Sequence, residues 1–189
     1  MRLQTGTGAD TRIMTYTFNP HHPVVREDIE AILAAPLPWD QLKGKHVLLT
    51  GGNGMFGSYL ALSLLALART QAPELRLTLL VRSRARLEAK LGPALASDLC
   101  HIVEGELDAP PALPFGQPDI IIHAASPAIL RDYATNLVGV IRANAMGTFA
   151  LLERYAREHP VRFLMLGSGV YGESDNIGPV DENAFGAVR

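Results

Sequence analysis

The chain has 189 residues, of which 48% are hydrophobic and 19% are charged, and its formal net charge at pH 7 is −2. This length and apolar content suffice for the core of one domain, whereas the near-neutral charge gives no electrostatic basis for binding nucleic acid or an anionic membrane. Cys100 is the single cysteine and cannot form an internal disulfide, and the sequence shows neither a signal-peptide pattern nor a membrane-spanning run. We therefore expect a soluble cytoplasmic protein.

Residues 1–43 are predicted to form an N-terminal extension to a main domain that occupies residues 44–189. The first 22 residues are rich in Gly, Thr, Asn and Pro, which predicts poor order. This stretch contains the adjacent histidines His21 and His22, but no further ligand lies at a useful spacing. We therefore predict no metal site.

One amphipathic helix is predicted within the extension, over residues 23–35. Its start is marked by Pro23, followed by acidic residues near the first turn. Apolar residues recur on one face at helical spacing, namely Val24, Val25, Ile29, Ile32 and Leu33. Trp39 and Leu42 follow the helix and are predicted to pack the extension against the main domain.

A glycine-rich turn is the most informative segment of the chain. A short apolar strand is predicted over residues 45–50, and a helix rich in Leu and Ala over residues 54–70. Between them, glycines satisfy both the G-x-G-x-x-G and the G-x-x-G-x-x-G spacing, at positions Gly51, Gly52, Gly54 and Gly57. Glycine permits the sharp turn, lets the backbone approach a pyrophosphate and allows close packing of helix on strand. The helix start directs its amides and positive dipole end at the phosphates, so this segment predicts a dinucleotide-binding fold.

Strands and helices alternate through the rest of the chain. Strands are predicted over residues 75–81, 100–104, 119–123 and 161–166, and helices over residues 84–92 and 137–158. The strand that ends at His123 is apolar in a row, which is typical of a strand buried on both faces of a parallel sheet. The alternation predicts an α/β fold with a doubly wound, Rossmann-like parallel sheet and an N-terminal helical extension.

The residues after the second strand of the main domain bear on the choice between NAD and NADP. An NAD-binding fold usually places an acidic residue there to hold the ribose 2′-hydroxyl, but this chain has Arg82, Ser83 and Arg84. A guanidinium group suits a 2′-phosphate, so the sequence favours NADP over NAD. In the alternative interpretation, both arginines are simply solvated at the head of a helix.

Four further motifs follow the glycine turn in a characteristic order. They are Glu104-Gly105-Glu106-Leu107, His123-Ala124-Ala125-Ser126, Asn144-Ala145-Met146-Gly147-Thr148 and Leu166-Gly167-Ser168-Gly169-Val170-Tyr171-Gly172. Together with the turn, they resemble the extended short-chain dehydrogenase/reductase family, especially its nucleotide-sugar epimerases, dehydratases and decarboxylases. The resemblance covers about residues 40–189. The helical extension also resembles a branch of that family concerned with bacterial surface-polysaccharide biosynthesis.

The resemblance implies a set of cofactor-binding residues. The turn would face the pyrophosphate of NAD or NADP through Gly51, Gly54, Met55, Phe56 and Gly57. Small residues after the fourth strand would leave room for the ribose and nicotinamide, at Ala124, Ala125 and Ser126. Glu106 and Leu107 would lie beside the adenine, although the family usually has Asp at the first of these positions. Asn144 would contact the cofactor region, or alternatively bond a neighbouring backbone group, and His123 is expected to be structural.

The resemblance also implies a catalytic hydroxyl just after the last predicted strand, where it would hydrogen-bond the reacting sugar oxygen. Aligned from that strand the residue is Ser168, and aligned from Val170 the position falls on Gly167; the alternation of the strand favours Ser168. The family also moves a proton with a Tyr-x-x-x-Lys pair, and no tyrosine of this sequence has a lysine four residues later. We therefore expect the N-terminal, cofactor-binding part of a longer enzyme, inactive by itself.

These implications favour one function and leave two alternatives open. The favoured function is the NAD(P)-binding part of a nucleotide-sugar epimerase or dehydratase that oxidises a hydroxyl to a transient ketone and returns the hydride. The alternatives are an NADPH-dependent carbonyl reductase and a non-catalytic dinucleotide-binding module. The family often forms homodimers through helices at about 128–136 and 138–158, and one set of residues could supply that face or pack in the core: Ala143, Met146, Phe149 and Leu152.

Overall fold

A five-stranded parallel sheet forms the centre of the fold in the computed structural model, which describes residues 18–126, 134–157 and 161–167. The strands are β1 (His46–Thr50), β2 (Arg76–Val81), β3 (Cys100–Glu104), β4 (Ile120–His123) and β5 (Arg162–Met165). They lie in the order β3-β2-β1-β4-β5, and all neighbouring pairs are parallel. The chain places β2 and β3 on one side of β1 and then β4 and β5 on the other. The strand order therefore reverses between β1 and β4.

Helices cover both faces of the sheet, which is why the central strands are continuous apolar runs. The helices are α1 (Pro23–Ala34), α2 (Met55–Thr70), α3 (Arg84–Leu91), α4 (Leu137–Ile141) and α5 (Gly147–Tyr155). Leu49 of β1 belongs to the larger core cluster, together with buried residues of α2 and α3. Its neighbour Leu48 points to the opposite face, where it forms a smaller cluster with Leu151 and Tyr155 of α5. The prediction of a doubly wound sheet is confirmed.

The single long helix predicted before β5 is interrupted. A π-helical turn, Arg142–Met146, joins α4 to α5, and the Gly147 N–H donates to the carbonyl of Arg142 five residues earlier. Gly147 is buried, and a Cβ there would lie 2.9 Å from the Cβ of Leu107. Arg142 pairs with Asp108. These two contacts fix the turn against the loop after β3, a tertiary effect that helical periodicity in the sequence does not reveal.

The extension packs along α2 through a narrow stripe of α1. Val25 is buried, and Ile29 and Leu33 are partly buried against the larger core cluster. Val24 and Ile32 remain 52% and 37% exposed, contrary to the predicted apolar face. The reason is geometric: against a single neighbouring helix, residues four apart form one contact row, and residues beside that row point to solvent.

A short 3-10 helix, Trp39–Leu42, connects α1 to β1. Both Trp39 and Leu42 pack against the larger core cluster, which confirms their predicted docking role. The Trp39 indole N–H also donates to the carbonyl of Ala35 at 3.1 Å. This bond fixes the chain direction directly after α1.

Residues 18–22, the described end of the stretch predicted to have poor order, make specific contacts. His22 caps α1, because its Nδ1 accepts the N–H of Val24 at 3.3 Å. Phe18 packs edge-on against Tyr59 of α2, with 5.8 Å between the ring centroids. Composition alone cannot predict such contacts, since they depend on which side chains of α2 are within reach.

Candidate functional site

The candidate site lies at the carboxyl edge of the sheet, where the strand order reverses between β1 and β4. Open α/β sheets bind ligands at such a point because the loops on either side diverge and leave a crevice. Gly51 follows β1 directly and has a φ of +77°, a backbone conformation that favours glycine. A Cβ on Gly51 would lie 2.5 Å from the carbonyl carbon of Ala124, the first residue after β4. Any side chain at Gly51 would therefore force the two strand ends apart.

The glycine turn is closed by hydrogen bonds and by direct contact. The Gly54 N–H donates to the Gly51 carbonyl at 2.9 Å, and Gly54 is the N-cap of α2. A Cβ on Gly57 would overlap the Gly51 carbonyl oxygen, so α2 approaches β1 this closely only because the residue is glycine. Ser58 is buried, with its hydroxyl 3.0 Å from the Gly52 carbonyl and 2.7 Å from the Gly54 carbonyl. Sequence reasoning missed Ser58; a hydroxyl directly after the last glycine is the signal that could have identified it.

A cavity of about 700 Å³ opens beside this turn. Its walls are the turn, the ends of β2 and β4, the loop after β3, and α4 with the π-helical turn. Eight of the predicted cofactor-binding residues line it, namely Gly51, Gly54, Arg82, Glu106, Leu107, Ala124, Ala125 and Ser126. The volume is typical of small-molecule and cofactor sites. Motifs that are far apart in the sequence thus meet at one cavity.

Five predicted residues lie outside the cavity lining, namely Met55, Phe56, Gly57, Arg84 and Asn144. The side chains of Met55 and Phe56 are 64% and 65% exposed on the first turn of α2. Asn144 lies in the π-helical turn, and its Oδ1 is buried without a hydrogen-bond partner in the described part of the chain. This oxygen therefore does not serve a neighbouring backbone group. The predicted cofactor contacts of these residues stay predictions.

The arginines after β2 take different directions. Arg82 lines the cavity, whereas the Arg84 guanidinium bonds to the carbonyl of Ile102 in β3. Arg86, which sequence reasoning did not select, takes the place at the cavity that Arg84 was expected to fill. The signal for it is Ser83, because this residue caps α3 by accepting the Arg86 N–H at 3.3 Å. A helix that starts after Ser83 places Arg86 on the turn nearest the end of β2.

A buried chain of hydrogen bonds holds the segment after β4. The Ala125 N–H donates to Thr50 Oγ1 at 3.2 Å, and that oxygen lies 2.7 Å from His123 Nδ1. The imidazole tautomer sets which of these two atoms donates, and the buried Nε2 has no hydrogen-bond partner among the described residues. Burial lowers the pKa of His123, so the ring is neutral near pH 7. His123 was expected to be structural, and these contacts link it to Ala125 through Thr50.

Polar groups on opposite walls of the cavity were not predicted from the sequence. On one side, Asn53 Oδ1 is buried and has no partner among the described residues. On the other side, Arg142 pairs with Asp108. The Asn53 oxygen is closed off from the cavity as well as unpartnered, so it gives no support for a ligand. The glycine cradle that excludes Cβ atoms does fit a bound dinucleotide.

The predicted catalytic residue, Ser168, lies outside the described residues, and so does the rest of its motif from Gly169 to Gly172. The strand before it, β5, runs beside β4, with Met165 opposite His123. The Leu166 N–H donates to the His123 carbonyl at 3.0 Å. This strand therefore ends at the edge of the sheet that carries the cavity. The catalytic role of Ser168 stays a prediction.

Other site types receive no support in the described ranges. No three His, Cys, Asp or Glu side chains cluster there in a way that could hold a metal ion. Within the same ranges, no helix is both long enough and apolar enough for a membrane crossing. Burial raises the pKa of the Cys100 thiol to about 11, so it stays protonated near neutral pH and is a poor nucleophile.

Known proteins with a similar sequence or fold indicate one family. A sequence model of the NAD dependent epimerase/dehydratase family matches residues 47–187, well over half of the chain. No curated protein matches the sequence. Among solved structures, UDP-glucose-4-epimerase from Stenotrophomonas maltophila, solved with bound NAD, is similar with a TM-score of 0.60 and 20% identity over 76% of this chain and 43% of that one.

Two further solved structures are similar to the same degree. UDP-N-acetylglucosamine 4-epimerase from Methanobrevibacter ruminantium M1 has a TM-score of 0.60 and 20% identity over 77% of this chain and 44% of its own. A dTDP-glucose 4,6-dehydratase from Streptomyces venezuelae, solved with NAD, has a TM-score of 0.57 and 25% identity over 73% of this chain and 44% of its own.

The chain spans less than half the length of each of these three proteins. The two epimerases are 20% identical to this chain, and a similarity at that level shows a common fold alone. The family match is independent of those structures, because it rests on the sequence from β1 through the last motif. The chain therefore belongs to the NAD-dependent epimerase/dehydratase family.

Proposed function

We propose that the chain binds NAD(P) in the cavity at the reversal of strand order and forms the cofactor-binding part of a nucleotide-sugar epimerase or dehydratase. The contact of Gly51 with Ala124 carries the proposal, because it joins the ends of β1 and β4 at a cavity lined by the motif residues. The NAD dependence of the family and the bound NAD of two similar structures support the cofactor. The names of those solved enzymes support a nucleotide sugar as substrate.

In this proposal each wall of the cavity binds one part of the dinucleotide. The amides of the glycine turn and the positive end of α2 bind the pyrophosphate. Glu106 and Leu107 border the adenine, and the small side chains of Ala124 and Ala125 leave room for the ribose and nicotinamide. When bound, the cofactor supplies hydride exchange with a substrate carbon. Ser168 would hold the reacting sugar oxygen by a hydrogen bond, and the chain alone, without a Tyr-x-x-x-Lys pair, would bind dinucleotide without turnover.

We further propose that the cavity prefers NADP to NAD. Arg82 and Arg86 both line it, and neither forms an ion pair with another described residue. A guanidinium forks onto phosphate oxygens, so two of them beside the adenosine end of the cavity suit a 2′-phosphate. The same two residues favour the second candidate function, an NADPH-dependent carbonyl reductase. Denaturing the purified protein and assaying released dinucleotide separates the two, since an enzyme that recycles its cofactor tends to retain it.

Titration of the chain with NADP and with NAD by calorimetry tests these proposals. We expect Arg82→Ala and Arg86→Ala each to weaken NADP binding about tenfold and to leave NAD binding unchanged, since a hydrogen bond to a charged group contributes roughly 1.5–3 kcal/mol. Arg84→Ala is the matched control, because that guanidinium is directed at β3. If the unaltered chain binds neither dinucleotide, the proposed site is wrong. If both variants keep the ratio of NADP to NAD affinity, the preference for NADP is wrong.

A further inference from the structure

Lys90, on the last turn of α3, bonds to the tip of the glycine turn. Its Nζ donates to the Asn53 carbonyl at 2.7 Å and to the Gly54 carbonyl at 3.2 Å. Asn53 and Gly54 line the cavity, whereas Lys90 does not. The ammonium group therefore holds the turn from outside the cavity. The geometry and spacing of the glycine motif give no hint of this contact, because Lys90 is 36 residues away from Gly54 in the sequence.

These two bonds add to the bonds within the turn that orient the Asn53–Gly54 and Gly54–Met55 peptide units. A trans peptide unit is planar, so its N–H points opposite to its carbonyl. The Gly54 carbonyl accepts from Lys90 and also from the N–H and the hydroxyl of Ser58, at 3.1 Å and 2.7 Å, so the N–H of Met55 in the same peptide unit points away from these donors. Met55 is the first residue of α2, where the N–H has no partner within the helix. The ammonium also adds a positive charge behind an anion-binding helix start.

The N-terminal extension completes the surroundings of Lys90. The ring of Phe18 lies over the ammonium, with 4.8 Å between Nζ and the ring centroid, a geometry that attracts a cation. Phe18 forms a T-shaped ring pair with Tyr59, whose hydroxyl donates to Asp28 Oδ2 in α1 at 2.8 Å. A continuous chain of contacts thus runs from α1 to the glycine turn.

This chain of contacts begins outside the part of the protein that is common to the family. Phe18 and Asp28 both precede residue 47, where the family match starts. Lys90 is partly withdrawn from solvent, and this desolvation lowers its pKa below the usual range for lysine. Two carbonyls and the ring of Phe18 nevertheless stabilise the ammonium group. The N-terminal extension and the glycine turn therefore both contact the same charged group.

We infer that Lys90 is a positioning residue for the phosphate-binding turn and that Phe18 makes the N-terminal extension a working part of the dinucleotide site. The inference rests on the proposed function for the identity of the ligand. The arrangement of the turn itself does not depend on that identity, and it can be tested without any ligand.

Dinucleotide binding by four variants gives the first test. We expect Lys90→Met to weaken NADP and NAD binding equally, by about tenfold, since it removes a charged donor to two carbonyls. Lys90→Arg keeps the charge and the donors and should restore affinity to within about threefold. Phe18→Leu should weaken both dinucleotides by about threefold. Lys43→Met, which removes an exposed lysine of the extension, is the control and should change nothing.

Adenosine separates positioning from general damage, because it lacks the pyrophosphate. Lys90→Met should leave adenosine binding unchanged while both dinucleotides weaken. An equal loss of adenosine and dinucleotide affinity, or full dinucleotide affinity in Lys90→Met, would overturn the inference. Should Lys90→Met fail to fold, Phe18→Leu and Lys90→Arg decide the matter by the same comparison, since both retain the cation.

Amide hydrogen exchange of the ligand-free protein gives a second test that is independent of the proposed function. We expect faster exchange across residues 51–58 in Lys90→Met and Phe18→Leu than in the unaltered chain, and no change in Lys43→Met. Unchanged exchange in both of the first two variants would contradict the inference. If exchange responds as expected but the unaltered chain binds no dinucleotide, the proposed function fails while the positioning of the turn by Lys90 is supported.

Discussion

The cavity depends on the absence of a Cβ atom at Gly51. Two separate features exclude a larger residue there: the positive φ of +77°, and the backbone of Ala124 within 2.5 Å of where a Cβ would lie. Gly116 has a nearly identical φ of +76°, but no atom lies within 4 Å of the equivalent Cβ position. Substitutions at the two glycines can therefore distinguish the effect of backbone strain from the effect of overlap with the neighbouring strand.

We expect Gly51→Ala to abolish dinucleotide binding and to lower the free energy of unfolding by about 3 kcal/mol, because strain and overlap both act. Gly116→Ala should lower it by only about 1 kcal/mol and leave binding intact, since strain acts alone. Urea denaturation and calorimetric titration of the two variants measure these effects. Equal destabilisation by both substitutions would show that contact with Ala124 does not constrain the site.

At this scale the sequence predicts residue types better than side-chain directions. The glycines could be predicted because backbone geometry dictates them, and eight predicted residues do line one cavity. Arg86 rather than Arg84 reaches it, because the start of α3 decides which side chain points to the edge of the sheet. Asn53 and Lys90 depend on contacts between distant segments. A spacing rule that uses only neighbours along the chain cannot identify such residues.

The sequence predicts an element well where that element is buried and its residues must therefore be apolar. The predicted bounds of β1 to β5 lie within about one residue of those observed. For β1, β2 and β4 the reason is that strands covered on both faces must be almost wholly apolar. The π-helical turn and the narrow contact stripe of α1 were not predicted. Both depend on the neighbour against which a helix packs, namely Leu107 in one case and α2 in the other.

His46 joins three segments at the opposite edge of the sheet and makes stability depend on pH. It is buried, with Nε2 2.8 Å from Thr78 Oγ1 in β2 and Nδ1 3.3 Å from the Gln117 carbonyl. Burial lowers its pKa from the usual 6.5, and that effect outweighs the opposing bond to Gln117. Below pH 6.5, His46 becomes protonated in the unfolded chain but stays neutral in the folded chain until the pH is lower. Stability is therefore lost towards acid.

We expect the free energy of unfolding to fall between about pH 7 and pH 5, and to fall less in His46→Gln, which retains polar atoms but does not titrate. Part of the slope should persist in this variant, because burial lowers the pKa of His123 in the same direction. Urea denaturation at several pH values measures the slope. A slope in His46→Gln as steep as that of the unaltered chain would show that His46 does not account for it.

An apolar surface lies on α4, the π-helical turn and the start of α5, and we call it the α4–α5 surface. Its members are more than half exposed, namely Leu137, Val138, Ile141, Met146 and Phe149. Of the residues that could form a dimer face or pack in the core, Met146 and Phe149 are not packed in the described core, and Ala143 lines the cavity. A contiguous apolar surface of this kind is typical of a protein–protein interface.

We expect the chain to form a homodimer through the α4–α5 surface, as the family resemblance implies. Phe149→Glu should then produce monomers, because it places a charge in an apolar contact. Leu37→Glu is the control, since Leu37 is also exposed, at 54%, but lies in the extension. Sedimentation equilibrium of the two variants distinguishes the outcomes. A monomeric unaltered chain, or a dimer that survives Phe149→Glu, would contradict the expectation.

The π-helical turn has a consequence for the length of the protein rather than for its composition. Each residue of an α-helix rotates the following side chains by about 100°. A π-helical turn holds one residue more than the α-helical turn that it replaces, so the helices on either side keep their relative orientation. If the segment were uniformly α-helical at its present length, α4 would be rotated relative to α5 by that angle, and Gly139 and Val140 would leave the cavity wall while Leu151 and Tyr155 kept their places on the sheet. Deleting one residue, for example Ala145, should therefore restore α-helical bonding with both sets of contacts kept, whereas the chain at its present length needs the π-helical turn to keep them.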